Sequence, residues 1–217
     1  MTHIINNLDT ISPLIVLLYA VLFRTIKGEY RIVFLYLLLQ LVLNLCTTLI
    51  DIFIPSYNNI WLYQINSFLS FVVLSIFFQK INPYARNAYA KSVNILFVLL
   101  LFIIILFEKR DAFNSISYSI VSILVTFFCL NYYWFLIKET PTTSLIKNEF
   151  FFFATGFFIY YTANIFVFAT YRIFTIDHIQ TNTFWLLWKF HNFMFTVMCI
   201  FMIKGFSCIL LPKTPSS

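Results

Sequence analysis

Charge is scarce in this chain. Its 14 Lys and Arg and 8 Asp and Glu amount to 10% of 217 residues, against about 25% in an ordinary soluble domain. A water-soluble fold would have too little polar surface to cover an interior drawn from a chain that is 61% hydrophobic. Glycine is scarcer still, with three residues and no GxxxG pair, which excludes the glycine-mediated crossing common between membrane helices. The four cysteines, Cys46, Cys129, Cys199 and Cys208, show no CxxC or Cys/His spacing, which argues against a disulfide framework or a zinc site. The three histidines, His3, His178 and His191, form no HxxxH or HExxH, and no Gly-x-Ser-x-Gly occurs. Metal-dependent and serine-nucleophile catalysis are therefore disfavoured, and the expectation is a protein that is not an enzyme. No Lys or Arg precedes Arg24, so the basic region of a cleavable signal is missing and the first apolar run is expected to persist as a span.

What is present is apolar length. A membrane helix needs about 20 residues to cross the hydrocarbon core. Runs suited to this fall at about 9–27, 32–53, 60–79, 92–107, 113–137, 150–171 and 183–203. The expected fold is all-α: a polytopic integral membrane protein, one domain over 1–217, built as a bundle of seven transmembrane helices with no soluble domain. Ser12-Pro13 is expected to open the first helix as N-cap and N1 proline, with Gly28 as its C-terminal stop and Gly205 ending the last helix. Ser115, Ser119, Ser122 and Thr126 share a sector of about 60° at 100° per residue and are expected to make the tightest helix contact. Elsewhere the 29 phenylalanines should hold helices further apart.

Basic residues gather in alternate connections. Arg24, Lys27, Arg31, Lys80, Arg86, Lys91, Lys138, Lys147, Lys204 and Lys213 fall on one face, and Lys109, Arg110 and Arg172 on the other. The positive-inside rule then places the N-terminus outside and the C-terminus in the cytoplasm, in the plasma (inner) membrane. No basic cluster suggests a nucleic-acid partner; the bilayer is the expected one. No connection exceeds roughly a dozen residues, so an output domain is expected on a separate membrane or cytoplasmic partner protein.

Polar residues line up in stripes. Gln40, Asn44, Thr47 and Asp51 occupy about 60° of span two, and Trp185, Trp188, Lys189, Asn192 and Thr196 about 100° of span seven. Tyr63, Asn66, Ser67 and Ser70 share a face of span three with Gln64 beside them, and span six adds Tyr160 and Asn164. Lys189 is the one charge well inside a run, and a charge there is costly and usually kept for a reason. It is expected to pair with Asp51 if spans two and seven touch, or otherwise to snorkel outward. Convergence of Asn44, Asp51, Tyr63, Gln64, Asn164, Trp185, Trp188, Lys189 and Asn192 in the outer half predicts a water-accessible pocket for a small polar or zwitterionic ligand. The lysine is not expected to carry retinal, because Trp185 stands where microbial rhodopsins have an aspartate; no other cofactor is indicated. The leading expectation is a membrane-embedded receptor, sensor or accessory module. A small-solute transporter is the alternative, since the topology resembles that of small sugar and vitamin carriers, with an intramembrane enzyme third.

Overall fold

A computed structural model describes residues 8–54, 59–107, 115–139, 145–176 and 181–210. His3, Lys109, Arg110, His178 and Lys213 lie outside these residues, as does the side chain of Arg172. Among the described residues the chain is all-helical, with seven α-helices: α1 (Leu8–Leu22), α2 (Tyr30–Phe53), α3 (Ile60–Ile81), α4 (Ala88–Phe107), α5 (Ser115–Lys138), α6 (Glu149–Ile176) and α7 (Thr181–Ile209). Short 3-10 turns at Pro83–Arg86 and Leu145–Lys147 precede α4 and α6. Six helices, α2 to α7, are long and apolar enough to cross a membrane, which suggests a multi-pass membrane protein.

The helices alternate in direction. Where α1, α3, α5 and α7 begin, here the upper end, Asn59 bonds Asp51 and Tyr118 bonds the Tyr63 carbonyl. At the lower end Tyr30 bonds Glu149, Tyr84 bonds Glu139 and Tyr19 bonds Ser207. Contacts run α1–α2–α3–α5–α6–α7 and back to α1, a closed ring of six. The seventh helix, α4, packs on the outside against α3, with only 11% of its apolar window buried.

The first helix departs from its expected span. Its described part already covers Leu8, four residues before Ser12, and it stops at Leu22 rather than near residue 27. Ser12 and Pro13 are therefore internal, and the Ser12 hydroxyl donates back to the Leu8 carbonyl. A proline inside a helix leaves the carbonyl four residues earlier without its N–H, here that of Asp9. The Asn44 Nδ2 of α2 donates to that oxygen at 2.9 Å, so a neighbouring helix supplies what the proline removes. After Leu22 the backbone turns through Arg24 (φ 51°) and Gly28 (φ 53°), the latter close to its expected role as a stop.

The last helix departs too, running through Gly205 to Ile209. A Cβ on Gly205 would lie 2.4 to 3.0 Å from ring atoms of Phe153, so the glycine is there to admit that ring, not to end the helix. Gly156 of α6 is similarly close, 3.0 Å from the Phe201 Cβ and 3.1 Å from the Met198 carbonyl oxygen. The α6–α7 seam is thus the most extensive packing in the bundle, ahead of the expected small-residue face of α5. That face is still packed, with Ser115 and Ser122 buried and Thr126 within 3.5 Å of Thr162 of α6.

The centre of the lower half of the ring is aromatic. Phe77 meets Phe157 at 5.8 Å between ring centroids, Tyr36 meets Phe157 at 5.2 Å and Phe153 meets Phe206 at 5.0 Å. All five side chains are fully enclosed. Offset and edge-to-face pairs of this kind fill the space that small residues would otherwise close by bringing backbones together.

Candidate ligand-binding site

Above the aromatic layer the ring interior turns polar. Gln40 of α2 is held by Asn66 and Ser70 of α3: its Nε2 donates to Asn66 Oδ1 at 2.9 Å and to Ser70 Oγ at 2.7 Å, and its Oε1 accepts from Asn66 Nδ2 at 3.1 Å. The hydroxyls of Tyr36 and Tyr161 meet at 3.1 Å. From α7, His191 Nδ1 lies 2.8 Å from Asn164 Oδ1 and its Nε2 lies 3.3 Å from the Tyr160 hydroxyl. An amide oxygen only accepts, so Nδ1 carries the proton and Nε2 accepts from Tyr160. One face of the imidazole stacks on Trp188 at 5.2 Å and 25°. A buried polar set of this kind is stable only when its members satisfy one another, and these do so across α2, α3, α6 and α7.

The set encloses a chamber of about 30 Å³, whose lining includes Gln40, Tyr118, Tyr160, Asn164 and His191. That is room for a single water molecule. Asp9, Asn44, Tyr63 and Trp188 line both this chamber and a larger cavity above it. The upper cavity has a volume of about 320 Å³ and adds Thr47, Thr48, Asp51 and Ile52 from α2, with Trp185, Lys189 and Asn192 from α7. In the ring α1 stands between α2 and α7. Its first turn is level with Asn44, and α2 continues nine residues further, to Phe53, roughly 14 Å. Above the first described turn of α1, then, α2 and α7 face one another across the cavity.

Of the nine residues expected to form a pocket, seven line this upper cavity: Asn44, Asp51, Tyr63, Trp185, Trp188, Lys189 and Asn192. Asn164 lies deeper, on the small chamber. Gln64 lines neither cavity; it is buried, and its Nε2 has no described partner. Direct pairing of Asp51 with Lys189 does not occur among the described residues. The Asp51 carboxylate instead accepts from Asn59 Nδ2 at 2.7 Å, and Lys189 is exposed on the cavity wall. Lower in the ring α1 stands between α2 and α7, and Asp51 and Lys189 both line the cavity between the two helices.

His191 is not among the residues of the α7 polar stripe, Trp185, Trp188, Lys189, Asn192 and Thr196. Its signal is the i, i+3, i+7 spacing of Trp188, His191 and Phe195, all three of which line the small chamber. Asp9 of α1 also lines both cavities, and no polar stripe on that helix marks it. No family model matches the chain, and no curated protein or solved structure matches it either.

Proposed function

We propose that this chain is an integral membrane protein of seven spans that binds a small polar ligand from outside and acts as a receptor or accessory module for a separate partner protein. The observation that carries the reading is the 320 Å³ polar cavity at the upper end, continuous in its lining with a polar chamber and backed by closed aromatic packing. A cavity of this size is at the lower end of small-molecule sites. Bundle ends offer the same polarity of charge that the sequence does: Arg24, Lys27, Arg31, Lys80, Arg86, Lys138, Lys147 and Lys204 cluster near the lower ends of their helices, which supports a cytoplasmic lower end. In support of α1 as the seventh span, Val16, Leu17 and Ala20 are buried while Ile15, Leu18 and Val21 are exposed, the inside and lipid-facing sides of a membrane helix.

Transport is the weaker reading, because a carrier needs a polar path on both sides of its site. In the lower half Asn94 stands on α4, outside the ring, and Phe77, Phe153 and Phe157 occupy the centre. Single cysteines placed near Thr48 and near Lys138, probed with an impermeant thiol reagent in intact cells, test the orientation: labelling at the first and protection at the second is expected, and the reverse result sinks it. Proteoliposomes containing the purified chain test the activity. Binding of a solute without its accumulation supports a receptor, whereas concentrative or exchange uptake establishes a carrier.

A further inference from the structure

We infer that the upper cavity takes a small zwitterion of the α-amino-acid class, its carboxylate at Lys189 and its cationic nitrogen at Asp51, Asn192 and the Trp185 ring. This rests on the reading of that cavity as a ligand site. Three features of the lining specify the chemistry. First, Asp51 and Lys189 stand on opposed helices and line one cavity without pairing to each other. A carboxylate and an ammonium that neutralised one another would leave little charge for a ligand; held apart, they offer one pole each.

Second, Asn192 is 1% exposed, lines the cavity and carries an Oδ1 with no described hydrogen-bond partner. A buried acceptor left unpaired is costly, and it is satisfied only by a group that donates, such as an ammonium or a water. Third, Trp185 borders the cavity and is 60% exposed, so its indole surface is open to a cation.

Size and the presence of both signs of charge in the lining favour a small molecule with two poles. A volume of about 320 Å³ is at the lower end of small-molecule sites and has room for a solute of amino-acid size. The lining holds two carboxylates, Asp9 and Asp51, and one ammonium, Lys189. A simple anion meets two like charges there, and a simple cation meets the lysine. A zwitterion alone places each pole beside its opposite.

Tryptophan fluorescence provides the test. The chain has four tryptophans, so replacing Trp61 and Trp134 with Phe leaves Trp185 and Trp188 as reporters. The full-length protein in lipid nanodiscs is titrated with alanine and leucine as zwitterions, ethanolamine as cation, propionate as anion and glycerol as neutral solute. The expected result is a saturable change with an amino acid, and at least about tenfold weaker binding of ethanolamine and propionate. Lys189→Met should weaken the amino acid by about tenfold or more while sparing ethanolamine, and Lys189→Arg, which keeps the charge, should retain it; monodisperse elution of each variant checks the fold. If ethanolamine, propionate or glycerol binds as tightly as the amino acids, or Lys189→Met leaves amino-acid binding unchanged, the zwitterion assignment is overturned and the cavity remains a ligand site. A lack of saturable response to every probe overturns the assignment and the ligand-site reading together.

Discussion

Asn44 donates its side-chain amide to the backbone oxygen of Asp9 at 2.9 Å, and that oxygen is the one Pro13 leaves without an N–H. The two substitutions should therefore be coupled. Asn44→Ala alone strands the carbonyl and is expected to cost about 1–3 kcal/mol. With Pro13→Ala in place, the helix regains its own N–H at that position, and the same Asn44→Ala change should cost clearly less. A double-mutant cycle read by thermal melting in detergent measures the difference; equal costs in the two backgrounds would mean that the bond does not compensate the proline.

Asp51 and Lys189 should behave as independent residues. Each faces the upper cavity, and no ion pair joins them among the described residues. Asp51→Asn and Lys189→Met are each expected to change stability by under about 1 kcal/mol, as exposed charges do. Their effects should add to within about 0.5 kcal/mol. A coupling of several times that size would show that the two meet in a conformation other than this one.

The His191–Asn164 bond of 2.8 Å is partly buried, with Asn164 itself 1% exposed. His191→Phe deprives the Asn164 amide oxygen of its Nδ1–H donor and the Tyr160 hydroxyl of its Nε2 acceptor, at an expected cost of about 1–3 kcal/mol. Adding Asn164→Leu removes one stranded partner and should recover part of the loss, since replacing both partners of a buried bond by apolar groups is far less costly than replacing one. Denaturation midpoints of the two single variants and the double variant decide it, and a double variant worse than the sum of the singles would refute the pairing.

Gly205 should not tolerate a methyl group. A Cβ there meets three ring atoms of Phe153 at 2.4 to 3.0 Å, and that ring is itself locked between Phe206, Phe77 and Tyr30. Gly205→Ala is expected to destabilise by about 1–3 kcal/mol through overpacking, although alanine is the better helix former. Phe153→Leu in the same chain should relieve part of that penalty. Improved thermal stability of Gly205→Ala alone would show that the seam has room to spare.

Much of this architecture was legible in the chain, and the misses share a cause. Scarce charge and long apolar runs located the helices, since span length is set by the bilayer and needs no partner. The errors at Pro13 and Gly205 came from local rules for helix ends. Those rules assume that the chain itself must satisfy each backbone group and fill each gap; here Asn44 of α2 supplies the missing donor and Phe153 of α6 fills the missing side chain. In the candidate site the residues Asn44, Asp51, Trp188 and Lys189 of the α2 and α7 stripes line one cavity. Gln64 of α3 and His191 of α7 fall elsewhere than their stripes suggest, because a stripe fixes a face and not which neighbour the face meets. The order of helices around the ring, with α1 between α2 and α7, leaves no trace in periodicity.

That order also explains the solitary α4. Its neighbours in sequence, α3 and α5, lie side by side in the ring and point the same way. A chain that ends α3 at the bottom must climb back to begin α5 at the top, and with α3 and α5 adjacent in the ring that crossing is made outside the wall. α4 is that return stroke. What the bundle asks of it is length and oiliness, not identity, and its sequence is correspondingly free to drift or to be rewritten wholesale as another apolar helix, provided Asn94 and Leu101, its buried contacts, keep their place against the ring.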